Sequence, residues 1–340
     1  MPNWREILTE ITEFQQANAH NPQVAITAID VIRRKYLLLL HQKLTRNVIV
    51  YYSGWLSKPG IAQAAITDED KNGFMMAVHG LDRSKGLDLL LHTQGGSIAA
   101  TQSIVNYLHK MFHNAALGIP DIRAIVPQIA MSAGTMLACA CKTIMMAKHS
   151  NLGPIDPHLR DVPTYGVIRE FRRACREVKR DSSRLAIWQT IIGQYRPTFL
   201  GQCENAVKWS DSFVREQLGK VMFADDKLGA KKAKKIVKEL SDYQKNKVHD
   251  WHIHAEECEK IGLVIDKIEA DPVTQDLILT VHHCLMHTLM NTQAYKIIEN
   301  HQGSAIVKRQ NPIMAPMPMQ PTIIPFQIQP PNVLSPPFEQ

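Results

Sequence analysis

Ile122-Arg-Ala-Ile-Val126 runs into Met131-Ser132-Ala133-Gly134-Thr135, and the reading of that junction decides the fold. The first run is short and apolar, as a buried strand is. The second opens a small, apolar helical pattern with a serine at its head. The same grammar stands on either side. Upstream, Asp88-Leu-Leu-Leu-His92 leads into Thr93-Gln94-Gly95-Gly96-Ser97 and then a helical run; downstream, Thr143-Ile-Met-Met-Ala147 ends in Leu152-Gly153-Pro154-Ile155-Asp156-Pro157. Strand-like runs that alternate with helical ones predict an α/β core.

Three special turns at the ends of three strands suit acyl transfer. A serine at a helix N-terminus sits where unpaired backbone N–H groups can hold an oxyanion. Glycines in a neighbouring turn let the backbone come close to a substrate. The plain alternative for Ser132 is a helix cap, a common post for serine. Gly134 reads as a close-packing position in the first helical turn.

In the order Gly95-Gly96, Met131-Ser-Ala-Gly-Thr135, Leu152-Gly-Pro-Ile-Asp-Pro157, the segment from Leu89 to Pro157 resembles the Clp protease and crotonase superfamily. Within it the order of turns is most similar to the serine dehydrogenase proteinase family, which is related to signal peptide peptidase A. The resemblance spans roughly residues 45 to 270. It implies a spiral of strand–strand–helix units with added N- and C-terminal helices, and a serine peptidase that needs no cofactor. It makes Ser132 the nucleophile and places the oxyanion donors at the backbone N–H groups of Gly96 and Ala133. It also implies a homo-oligomer.

A serine needs a base, and a base needs orienting. The histidine of Clp-type proteases falls at Ile155 here, so that order is broken. The serine dehydrogenase proteinase pattern runs Ser, Asp, His, which gives Ser132, Asp156 and His249. His249 lies in Val248-His-Asp-Trp-His-Ile253, similar to a family segment in which proline stands at the position of His252. Two other bases remain open: His158, two residues after Asp156, and Lys179, which a serine–lysine dyad would use. Asp156-Pro157 can also be simply the start of a turn.

The rest of the chain bounds the reading. Its 340 residues, 45% hydrophobic and 21% charged, allow one large or two ordinary domains. No apolar run approaches the roughly 18 residues of a membrane span, and the N-terminus shows no signal peptide. Relatives often carry a membrane-spanning N-terminus, and this chain departs from them. The six cysteines contain no Cys-x-x-Cys and fall mostly on apolar helical positions, as reduced thiols of a cytoplasmic protein would. The +7 net charge is partly local, at Lys231, Lys232, Lys234, Lys235 and Lys238. Without interleaved aromatics these read as a solvated helix face, and nucleic acid as a partner is not expected. His283 with His287, and His252 with His254, invite a metal, but no zincin-type glutamate accompanies them; partly exposed helical histidines explain them, and no metal is expected.

The expected organisation is a helical N-terminal arm or sheet cover over 1–43, a peptidase domain over 44–270, a helix within 271–302 and a disordered Pro/Met/Gln-rich tail over 303–340. A helical run is expected from Leu277 to Ile298. The function expected is peptide-bond hydrolysis, with protein or peptide as substrate. A non-catalytic Clp-fold scaffold that binds partners through its tail, and a crotonase-like acyl-CoA enzyme, are the alternatives.

Overall fold

Val48, Val50 and Tyr52 alternate with Ile49 and Tyr51 along the strand Asn47–Ser53, and all of its residues are buried. A strand apolar on both faces has to be covered on both. The computed structural model describes residues 4–159, 162–242 and 250–310. It places that strand inside a seven-stranded sheet, in the order Ile265–Lys267, Thr143–Met146, Ile122–Val126, Leu87–His92, Asn47–Ser53, Ala294–Asn300, Ala305–Arg309. The first five run parallel. Ala294–Asn300 adds antiparallel to Asn47–Ser53, and Ala305–Arg309 antiparallel to Ala294–Asn300.

Beyond the parallel strands the chain makes a second, smaller layer before each helix. Ile66 bridges Gly96, and Thr93 bridges Ala130. The short strand Ile129–Ala130 pairs parallel with Asn151–Leu152, which pairs antiparallel with Ile253–His254. The helices Asp70–Val78, Ile98–Met111 and Ala133–Cys139 then return along the main sheet. This is the strand–strand–helix spiral of the Clp and crotonase folds. It collects the loops after successive strands at one end, where the small layer lies.

Two cores follow from the alternation. Ile49, Tyr51, Leu89, Leu91, Ala124 and Val126 face one core with those three helices. Val48, Val50, Tyr52, Leu90 and Ile125 face the other, under the helices Trp4–Ala17, Ala28–Leu44 and Pro272–Asn291. The N-terminal helices therefore cover the sheet: Ile7, Leu37 and Leu40 are fully buried in that second core.

The C-terminal region differs from its expected organisation. The helix Pro272–Asn291 starts with proline under the Asp271 side-chain cap and stops before Thr292, and Ala294–Asn300 is a strand. The helical run expected to reach Ile298 is overturned because Lys296 and Glu299 look like solvent-facing positions. Both are fully buried, paired with Asp70 and Arg33. The expected tail likewise begins with structure, since Ala305–Arg309 is a strand; the Pro/Met/Gln-rich remainder, 311–340, lies outside the described residues. No described helix is long and apolar enough to cross a membrane. Five cysteines are buried and Cys175 is exposed, all free.

Candidate active site

Ser132 heads the helix Ala133–Cys139 with φ 51° and ψ −116°, and its side chain makes no capping hydrogen bond. Left-handed φ in a residue with a Cβ costs about 1–3 kcal/mol and persists only where the surroundings enforce it. A serine on such a strand-to-helix turn holds its hydroxyl out from the sheet end. The cap reading does not describe this residue. The turn is held from below by Thr135, fully buried, whose hydroxyl lies 2.9 Å from the carbonyls of both Ala130 and Gly153 and accepts from the Gly153 N–H at 3.0 Å. Thr135 thus ties the serine turn to the Gly-Pro-Ile-Asp-Pro loop.

Gly95 lies directly against the serine. Its φ is +98°, and a Cβ there would stand 2.7 Å from the Met131 carbonyl oxygen, 2.8 Å from Ser132 Cβ and 2.9 Å from the Ala133 nitrogen. Gly134 is close-packed as its position implied, since a Cβ would fall 2.5 Å from Thr93 Cγ2. The Gly95 carbonyl accepts from Ile66 N–H at 2.8 Å. In a planar trans peptide the N–H of the next residue points the opposite way, so the Gly96 N–H is turned away from Ile66. Ala133 is the first residue of its helix, where an N–H has no intrahelical acceptor. Neither N–H has an acceptor among the described residues. The two donors on which the resemblance places the oxyanion are thus free.

The serine and the glycine turn line a cleft of about 700 Å³. Gly95, Gly96, Met131 and Ser132 form its floor, with Trp55, Gln94, Gln128, Asn151, His158, Asp250 and His252 among its walls. Asp156 is buried at 3% exposure, and His158 Nε2 lies 3.6 Å from its Oδ2. Ile155 is fully buried and its N–H bonds to the Leu240 carbonyl, so the position of the Clp-type histidine is turned into the core. Lys179 is exposed in the last turn of the helix Thr164–Arg180 and is not among the residues lining this cleft. His249 lies outside the described residues. Its neighbours in sequence, Asp250 and His252, line the cleft, and Ile253–His254 then joins the small layer.

Among the described residues no group of three or more His, Cys, Asp or Glu is placed to hold an ion. His252 faces the serine cleft, while His254 lines a separate groove with Glu239 and Glu256. His287 is buried rather than partly exposed, its ring tilted against that of Trp4 with centroids 4.1 Å apart and its Nε2 2.9 Å from the Trp4 carbonyl oxygen. Sequence reasoning passed over Trp55, Gln94, Gln128 and Asn151. Their place in a wall is set by the small second layer, which has no periodicity to read.

Two proteins of Methanocaldococcus jannaschii, both described as uncharacterized, are similar to this chain. One is 29% identical over 248 residues, 72% of this chain and 77% of its own length. The other is 27% identical over 201 residues, 59% of each. A solved structure of a membrane-bound stomatin-specific protease aligns with a TM-score of 0.35 at 15% identity, over 59% of this chain and 75% of that one. The model of the family described as ClpP-like SDH-type serine proteinase matches residues 20–283, and the chain belongs to that family.

Proposed function

We propose that this chain is a serine peptidase in which Ser132 attacks the carbonyl carbon of a peptide bond. The observation that carries the reading is the turn itself: a serine held at φ 51° whose hydroxyl does not cap its own helix, against a glycine turn whose Gly96 N–H has no acceptor among the described residues. As the Ser132 Oγ–C bond forms, the hydroxyl proton passes to a histidine and the carbonyl oxygen becomes an oxyanion. The N–H groups of Gly96 and Ala133 hold that charge, the larger share of such catalysis. Collapse breaks the C–N bond, and the leaving amine takes the proton back from the histidine. Water then hydrolyses the acyl-enzyme by the same route.

The family pattern makes His249 the base, oriented by Asp156. A second reading takes His158 as the base, favoured by its 3.6 Å approach to Asp156 and its place on the cleft wall. A homo-oligomer in the cytoplasm belongs to the same proposal. The helix Leu185–Ile192 supports assembly, with Leu185 46% and Ile187 63% exposed.

The test is labelling with a fluorophosphonate, read by intact mass and peptide mapping, beside casein hydrolysis. Wild type takes one label at Ser132, and Ser132→Ala loses label and hydrolysis together. Loss of labelling in His249→Ala but not His158→Ala selects the family base, and the reverse selects His158. A folded wild type that takes no label sinks the peptidase and leaves the scaffold.

A further inference from the structure

Lys296 and Asp70 are fully buried, each at 0% exposure. Lys296 Nζ donates to Asp70 Oδ1 at 2.9 Å, to Oδ2 at 2.8 Å and to the Ala65 carbonyl at 2.7 Å, which uses all three of its protons. Asp70 in turn accepts from the Tyr51 hydroxyl at 2.8 Å, from the Thr67 N–H at 2.9 Å and from Lys308 at 3.1 Å. A buried ion pair adds little net stability, because desolvation offsets most of the attraction. Its use is better sought in what its geometry fixes.

What it fixes is the segment 65–67. Lys296 holds the carbonyl at its start, Asp70 holds the N–H at its end, and Ile66 between them grips the glycine turn. The Ile66 N–H donates to the Gly95 carbonyl at 2.8 Å, and the Ile66 carbonyl accepts from the Ser97 N–H at 3.0 Å. The fit is close: a Cβ on Gly96 would lie 2.3 Å from the Ile66 nitrogen. The Gly95–Gly96 peptide is a rigid plane between two glycines that allow it many orientations. Whatever pins the Gly95 carbonyl therefore aims the Gly96 N–H.

We propose that Lys296 and Asp70 are positioning residues for the oxyanion hole, which act through Ala65–Thr67 to turn the Gly96 N–H toward the Ser132 turn. This rests on the peptidase reading. The alternative is a pair that only joins the helix Asp70–Val78 to the strand Ala294–Asn300, which would alter stability and nothing at the cleft.

The full chain is compared with Lys296→Met and the isosteric Asp70→Asn, which carries the test if the first variant does not fold. Two readouts are taken. The fluorophosphonate rate constant is measured alongside the final extent of labelling, and a crystal structure of the folded variant shows the Gly95–Gly96 peptide. A misaimed donor should cost less than a deleted one, so labelling should reach the same extent about 10- to 100-fold more slowly. The KM for a peptide should stay within about twofold, and the peptide plane should be turned. A folded variant that labels at the wild-type rate, or that keeps the peptide plane unchanged, overturns the proposal. A wild type that never labels removes the peptidase reading instead, while the orientation of the peptide still decides the structural half.

Discussion

Replacing Gly95 by alanine should slow the chemistry by about 10²-fold or more while leaving the protein folded. Two costs can be separated. The first is conformational: φ +98° is a region a side chain rarely enters, worth about 1–2 kcal/mol. The second is a collision. The added methyl would stand at 2.7–2.9 Å from Met131 O, Ser132 Cβ and Ala133 N. These are backbone and near-backbone atoms of the nucleophile turn, so relief has to come from moving that turn by about half an ångström or more. Gly80→Ala isolates the first cost, since it carries φ +78° with nothing within 4 Å of the new Cβ. A domain is stable by about 5–15 kcal/mol, so both variants should fold. Gly80→Ala should lose a few degrees of Tm and keep its labelling rate. Gly95→Ala should lose more in Tm, and its Ser132 labelling rate should fall by about 10²-fold or more, as for loss of an oxyanion donor. Calorimetry and fluorophosphonate kinetics on the same preparations give both numbers. Wild-type labelling of Gly95→Ala, or an equal loss in Gly80→Ala, would refute the reasoning that Gly95 shapes the nucleophile turn.

Thr135→Val keeps the shape of a fully buried side chain but strands the Ala130 carbonyl and both backbone groups of Gly153. It should cost about 2–4 kcal/mol by urea denaturation, and an unchanged midpoint would show that the hydroxyl bridge contributes nothing. His92 is buried beside Tyr52 and Trp55 with neither ring nitrogen hydrogen-bonded among the described residues, and burial holds its pKa down to about 3. The unfolded chain takes up that proton near pH 6.5 and the folded one does not, so acidification favours unfolding from about pH 6.5 down to about pH 3. Between pH 7 and pH 5 this group alone should remove about 2 kcal/mol. His92→Phe should lose that much less than wild type over the same interval, and equal losses would show that His92 protonates while folded.

How far the sequence could be read follows from how local each constraint is. The turns at Gly95-Gly96 and at Ser132 were legible as turns because the end of a strand is written in adjacent residues. The helix Pro272–Asn291 was visible by its period, but its end was not. Lys296 owes its buried place to Asp70, 226 positions away, and Glu299 to Arg33, 266 positions away. A charged residue whose partner is that remote looks like surface, and the strand that carries it looks like more helix. The same logic governs the base. Asp156 and His158 are two residues apart and could be named together, whereas Asp156 and His249 can be joined only by a chain that returns to the small layer. Ile253–His254 does return, pairing with Asn151–Leu152 beside the cleft. With Ile155 turned into the core, the histidines that line the cleft with Ser132 among the described residues are His158, two residues from Asp156, and His252, just before Ile253–His254.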